Sequence, residues 1–174
     1  SDGQAVYLRD VATVVDGRAG DGLFASDGDM ATRADLELLE VDAVTGRRTG
    51  LAAYARRALR ALNATKVPYA VVGATALAVR GLPRMTRDID VVVLVEDAFT
   101  ALAALEKVGF RSATPVDRED EPEPMYVMRY RRGEVDVLVA STEPESTVVA
   151  EAPKATVFGV RAPVARLEHL VLMY

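Results

Sequence analysis

Apolar and polar residues along the middle of the chain alternate with the period of a helix. From Leu51 to Ala64, leucine and alanine recur every three or four positions, which predicts an amphipathic helix. The arginines of this segment fall largely on another face: Arg56, Arg57 and Arg60. A row of arginines on a helix is usually a solvated face, although it could also meet an acidic partner or an RNA backbone.

After this helix, short apolar runs alternate with further helical patterns and turn residues. Strands are expected at 69–73, 88–95, 110–113, 125–130, 134–140 and 155–160. Helices are expected at 74–80, at 97–108 with a core stripe of Phe99, Leu102, Ala103 and Leu105, and from Val164 onward. The runs 125–130 and 134–140 read as a β-hairpin. The pattern predicts an α/β (α+β) fold, in which helices flank a mixed sheet of four to five strands.

Two segments do not fit this alternation. Residues 114–124 combine three prolines with five acidic residues, which favours an exposed loop. Residues 1–50 form an N-terminal extension of unclear role, separated from a core domain at 51–174. Aspartates and glycines within 16–29 superficially suggest a calcium loop, but their spacing fits a flexible acidic linker better.

Composition narrows the class of protein. The chain has 174 residues, half of them hydrophobic, and no cysteine, which excludes disulfides, cysteine-ligated zinc and thiol chemistry. It contains no apolar run long enough to span a bilayer and no secretory leader, so we expect a cytoplasmic protein that does not enter a membrane. The formal charge of −5 argues against a generally basic surface, but it permits a local basic groove.

The candidate chemistry begins at Asp88 and Asp90. Residues two apart on a strand point to the same side of the sheet, so these carboxylates repel one another. A bound Mg²⁺ would cancel that repulsion. The alternative is a structural pair of aspartates neutralised by Arg84 and Arg87.

Two other features favour the metal interpretation. An apolar strand runs through Gly73 into a helix of small residues, where backbone N–H groups could meet a phosphate. Downstream, Asp136 is the acidic residue of a strongly apolar strand, which we expect to lie beside Asp90. Asp136 is therefore a candidate third ligand.

These pieces, in this order and spacing, resemble the nucleotidyltransferase superfamily that shares a palm-like core with DNA polymerase β. The resemblance covers roughly residues 66–172 and rests on Gly73 with Ala74, on Asp88-Ile89-Asp90, and on Asp136. The sequence from Val72 through Asp90 is most similar to the small prokaryotic minimal and AbiEii-like nucleotidyltransferases. Many of these belong to toxin–antitoxin systems.

The resemblance implies roles for the residues that match. Asp88, Asp90 and Asp136 would hold Mg²⁺ or Mn²⁺ against the triphosphate of an NTP, and Asp136 could instead act as a base. Binding of the phosphates would fall to these positions: Gly73, Ala74, Thr75, Arg84 and Arg87. Each of the two arginines could equally be paired with a nearby carboxylate.

Two departures keep further interpretations open. Ala74 stands where the family has Gly or Ser, leaving Thr75 to supply a hydroxyl, and the helix after Val164 is cut short at Tyr174. The leading interpretation is a metal-dependent transferase that attaches an NMP to a protein or a tRNA, within a toxin–antitoxin pair or as a homo-oligomer. The alternatives are a transferase acting on a small molecule such as an aminoglycoside, and a catalytically silent, antitoxin-like binding module.

Overall fold

The computed structural model describes residues 50–82 and 86–173, in five helices and seven strands. The helices are α1 Leu51–Thr65, α2 Gly73–Val79, α3 Ala98–Lys107, α4 Glu143–Glu151 and α5 Leu167–Leu172, with a 3-10 turn at Val95–Asp97. The strands are β1 Tyr69–Val72, β2 Asp88–Leu94, β3 Arg111–Ser112, β4 Met125–Tyr130, β5 Gly133–Ala140, β6 Lys154–Val157 and β7 Val160–Pro163. The expectations for residues 1–49 and for Arg84 lie outside the described residues.

Five of the strands form one mixed sheet in the order β1-β2-β5-β4-β3. Strands β2 and β5 run parallel in the centre, and every other neighbouring pair in this sheet is antiparallel. The central position explains why both strands are strongly apolar, since helices cover much of this sheet. The predicted fold class and the β4–β5 hairpin are confirmed.

Helix α1 closes one side of the core with the residues that the periodicity indicates. Its apolar positions are almost fully excluded from solvent: Leu51, Ala55, Ala58, Leu59 and Leu62. They belong to one hydrophobic cluster with the central strands and α3. Burial of this stripe fixes which face of α1 remains outside, and the arginines lie there.

The core stripe predicted for α3 is partly wrong. Leu102 and Leu105 are buried, but Phe99 and Ala103 are only half-buried. The residues of α3 that are buried are Ala98, Ala101, Leu102, Ala104 and Leu105. Phe99 packs against the edge of the core, where Arg118 covers its ring.

The last third of the chain departs most from the predictions. The segment expected as a single strand at 155–160 contains most of β6, the turn and the first residue of β7, and the two strands form a separate two-stranded sheet. Its turn holds Phe158 and Gly159 at positive φ, 48° and 82°. Helix α4 was not predicted, and α5 begins at Leu167 rather than at Val164, because Val164 bridges to Val71 of β1.

Residues 113–124 form a largely exposed connection without regular structure, as predicted. Within the described part of the chain, no helix has the length and apolar character needed to cross a membrane.

Candidate functional site

The carboxylates of β2 and β5 gather on one face of the sheet. The parallel register places Asp90 opposite Asp136 and Asp88 opposite Glu134. Residues between them on each strand are buried, whereas these four are half-buried, so the four acidic side chains share the more open face. The prediction that Asp136 lies beside Asp90 is confirmed.

The backbone at Gly73 lies directly against the carboxylate of Asp90. Val72 is the register partner of Asp90, and Gly73 follows it at a φ of 64°. A Cβ at position 73 would come within 1.9 Å of Asp90 Oδ2 and 2.7 Å of the carboxyl carbon. Only glycine combines this backbone conformation with this approach, so Gly73 is required by the position of the Asp90 carboxylate.

Asp88 is held by its own loop. The hydroxyl of Thr86 donates a short hydrogen bond to Asp88 Oδ1. The backbone N–H of Asp88 in turn lies 3.5 Å from Thr86 Oγ1. This local arrangement orients one oxygen of the Asp88 carboxylate before the strand begins.

Asp136 is the most unusual carboxylate of the group. Its Oδ1 atom is buried and has no hydrogen-bond partner among the described residues. Burial raises the pKa of Asp136, and the nearby charges of Asp88 and Glu134 raise it further. A buried acceptor without a donor is costly, so a cation or a proton donor is needed to satisfy this oxygen.

Tyr54 of α1 adjoins this acidic face, which the sequence did not indicate. Its hydroxyl donates a short hydrogen bond to the backbone carbonyl of Arg87, the residue before Asp88. Its ring fills the space beside Gly133, where a Cβ would lie 2.2 Å from a ring carbon. Burial raises the pKa of Tyr54, as do the charges of Asp88 and Glu134. A helical period reveals that a tyrosine faces inward, but not which strand end it meets.

The residues expected to bind phosphates have mixed environments. Ala74 and Thr75 are buried in α2, and the Thr75 hydroxyl is closed to solvent without a partner among the described residues. Arg87 is exposed.

The acidic side chains of this face can be compared with the ligands that a metal ion requires. Within the described residues, no three acidic or histidine side chains converge tightly enough to form a complete ligand group. The facing pair Asp90 and Asp136 nevertheless offers only oxygen donors, one of them the unpartnered Oδ1. Oxygen ligands suit Mg²⁺, which keeps several waters or substrate oxygens and needs only one or two protein carboxylates. The residues present therefore fit a hard divalent cation.

The chain was compared with known proteins. No family model matches it, and no curated protein matches it.

Solved structures do share its fold. A candidate nucleotidyltransferase from Thermotoga maritima aligns over 70% of this chain and 81% of its own, with a TM-score of 0.53 and 18% identity. The antibiotic-resistance factor ANT(2″)-Ia, solved with adenylyl-2″-tobramycin, aligns over 71% of this chain and 73% of its own, with a TM-score of 0.52 and 20% identity. The lincosamide antibiotic adenylyltransferase LnuA, solved with lincomycin, covers 84% and 87% of the two chains, with a TM-score of 0.50 and 13% identity. The mixed sheet flanked by helices is thus a fold found in nucleotidyltransferases.

Proposed function

We propose that this protein is a metal-dependent nucleotidyltransferase, which transfers an NMP from an NTP to an acceptor hydroxyl. The observation that carries the proposal is the pair Asp90 and Asp136, which face one another on neighbouring parallel strands while Gly73 packs against the Asp90 carboxylate. A like-charged pair of this kind costs stability unless a cation or a proton offsets it. The shared fold supports the same conclusion.

Asp88, Asp90 and Asp136 are the proposed ligands for Mg²⁺ or Mn²⁺. Bound there, the cation would withdraw negative charge from the NTP phosphates during transfer. The Thr86 hydrogen bond fixes the Asp88 carboxylate in advance, and the unpartnered Oδ1 of Asp136 leaves an acceptor free.

The proposed reaction is an in-line displacement at the α-phosphorus. The acceptor oxygen forms a bond to this phosphorus while the bond to the bridging oxygen breaks and pyrophosphate leaves. As the alternative to its role as a ligand, Asp136 could act as the base that takes the proton of the acceptor hydroxyl.

On the phosphate side, Gly73 and Ala74 would offer backbone N–H groups to the triphosphate. Arg84 and Arg87 would neutralise charge on the leaving pyrophosphate. Thr75 could contribute its hydroxyl only if α2 shifts, because this side chain is fully buried.

We propose that the acceptor is a protein side chain or an RNA end. We also propose that this chain belongs to a toxin–antitoxin pair. This part rests on the sequence resemblance. A small-molecule acceptor is the second candidate, because two of the similar structures were solved with antibiotics or their adenylyl derivatives.

The test is transfer of label from each α-³²P-NTP with Mg²⁺ or Mn²⁺, offering total tRNA, lysate protein and aminoglycosides as acceptors. We expect label on one acceptor class with the wild type and with Asp120→Asn, a matched change in the exposed loop, and none with Asp88→Asn/Asp90→Asn. Absence of label with every nucleotide, together with absence of metal-dependent NTP binding, would overturn the enzyme in favour of a silent binding module.

A further inference from the structure

A cavity of about 890 Å³ lies between α1 and the turn of the β4–β5 hairpin. The wall from α1 includes positions three and four residues apart: Ala53, Arg56, Arg57, Arg60, Ala61 and Ala64. The small side chains of the alanines leave the space open, and the arginine side chains lie at its border. The opposite wall is the segment from Tyr130 to Gly133, which adds Arg131 and Arg132.

The charge of this cavity is of one sign. Among the residues that the structure describes, five arginines line it and no acidic residue does. Within 50–82 and 86–173, no carboxylate forms an ion pair with any of the five, whereas Arg118, Arg129 and Arg166 each have one. Arg56 and Arg60 are also four apart on one helix, a spacing at which like charges destabilise. The gathered positive charge is thus left for an anion to neutralise.

The hairpin wall is built around the ring of Tyr130. The guanidinium of Arg57 lies 4.8 Å from the ring centre, and that of Arg131 lies 5.5 Å from it. Phe110 supports the ring from within, at 5.1 Å between centroids. Arg57 Nε also donates a hydrogen bond to the Val108 carbonyl, which holds this guanidinium group in place while its terminal N–H groups can meet a phosphate.

The hairpin turn has an arginine at a position where the backbone conformation is unfavourable for that residue. Arg131 has a φ of 56°, a conformation in which glycine or asparagine would be less costly. Because glycine or asparagine would adopt this conformation at a lower free-energy cost, an arginine here indicates a function for its side chain.

Two residues connect the cavity to the acidic face. Tyr54 lines the cavity, and its hydroxyl donates a hydrogen bond to the backbone carbonyl of Arg87, the residue before Asp88. Gly133 lines it as well, directly before Glu134, which pairs with Asp88 in the register. A ligand held by the arginines would therefore extend toward the proposed site of transfer.

We propose that this arginine cavity binds the phosphate backbone of a single-stranded nucleic acid, whose end is the acceptor; this rests on the proposed function. The cavity has the volume of a small-ligand site, which suits a few nucleotides of a single strand. Phosphate contacts by arginine supply most of the affinity of such binding. Five clustered arginines, none of which forms an ion pair within the described residues, would repel a polycationic acceptor such as an aminoglycoside.

The experiment measures binding of a short fluorescein-labelled single-stranded RNA by anisotropy, over a series of salt concentrations. Asp88→Asn/Asp90→Asn is the background, so that no transfer occurs. Arg56→Gln/Arg60→Gln/Arg132→Gln removes three charges from the cavity, and Arg118→Gln/Arg161→Gln/Arg166→Gln removes three from elsewhere. Circular dichroism establishes that each variant is folded.

We expect the cavity variant to bind at least about tenfold more weakly, with a salt slope lower by about two, and the control variant to stay near the background. Equal weakening by both variants, or by neither, would overturn the proposal. Equally strong competition by ATP would assign the cavity to the nucleotide substrate, and equally strong competition by polyglutamate would assign it to an acidic protein.

The two experiments distinguish a failure of the transferase proposal from a failure of the cavity proposal. If the cavity variant loses RNA binding but the wild type labels no acceptor and shows no metal-dependent NTP binding, the transferase is overturned and the RNA-binding surface stands. If the wild type labels an acceptor with a rate that the cavity arginines do not affect, the transferase stands and the cavity proposal fails.

Discussion

Asp90 and Asp136 lie directly opposite one another on adjacent parallel strands. The pair is flanked by Gly73, which touches the Asp90 carboxylate, and by Asp88, whose charge raises the pKa of Asp136. A sheet built only for stability would have little use for this concentration of negative charge in a half-buried position. The predictions below test the contacts that hold it in place.

The contact between Gly73 and Asp90 predicts that Gly73→Ala is damaging. The new Cβ would collide with the carboxylate and adopt an unfavourable φ, so we expect a loss of about 3 kcal/mol in unfolding free energy in urea. Label transfer should also fall below detection, because Asp90 must rotate away. Gly159→Ala is the matched control, since Gly159 has a φ of 82° but open space around it, and should cost only about 1 kcal/mol. Equal losses for the two variants would contradict the contact.

Asp136→Asn should make the protein more stable while abolishing transfer. Since the pKa of Asp136 is raised, the folded state keeps this proton to a higher pH than the unfolded chain does. Stability from this group is therefore present below the ordinary aspartate pKa of about 3.9 and is lost as pH rises through the folded pKa.

In buffer with EDTA at pH 7, the Asp136→Asn variant should gain on the order of 0.5 kcal/mol in urea unfolding, a figure reduced for solvent screening. The gain should vanish below the ordinary aspartate pKa. A variant less stable than wild type at pH 7, or a gain that persists in acid, would count against the assigned environment. Asp120→Asn serves as the control.

Alkaline pH should weaken the fold through two buried tyrosines. The pKa of Tyr54 is raised by burial and by Asp88 and Glu134, and that of Tyr69 by burial. Both folded phenols keep their protons longer than unfolded ones, so stability falls as pH rises above the ordinary tyrosine pKa of about 10. Tyr54→Phe should reduce this alkaline loss and cost about 1 kcal/mol at neutral pH, where the bond to the Arg87 carbonyl is missing. A Tyr54→Phe profile parallel to wild type above pH 10 would refute the prediction.

Helix α4 offers a change that should separate stability from the site. Thr142 accepts from Glu145 N–H while the Glu145 side chain accepts from Thr142 N–H, a complete capping box. Thr142→Ala should lower the unfolding free energy by about 1 kcal/mol and leave metal-dependent NTP binding unchanged. A change in nucleotide affinity would mean that α4 is coupled to the acidic face.

The sequence was sufficient to locate the acidic face but not its surroundings. A period of two puts Asp88 and Asp90 on one side of a strand, and the two apolar central strands imply burial side by side. The β6–β7 hairpin was missed because Phe158 occupies a turn position where glycine would be expected. The start of α4 has a signal in the sequence, because Thr142 and Glu145 have the spacing of a capping box.

The arginine cavity could not be predicted from the sequence. The helical period shows that Arg56 and Arg60 share the outer face of α1, which is equally typical of a solvated surface. The hairpin arginines come from the turn after Tyr130, far along the chain, and periodicity carries no information on which turn packs beside which helix. The packing of Tyr54 against Gly133 and of Arg57 over the Tyr130 ring brings the two groups together.

The central claim is tested most directly by isothermal titration of a nonhydrolysable NTP in Mg²⁺ and in EDTA, with wild type, Asp90→Asn, Asp136→Asn and Asp120→Asn. The account predicts binding that requires the cation, is lost in the first two variants by at least about tenfold in Kd, and is retained in Asp120→Asn. Binding of equal strength in EDTA, or in all four proteins, would contradict it.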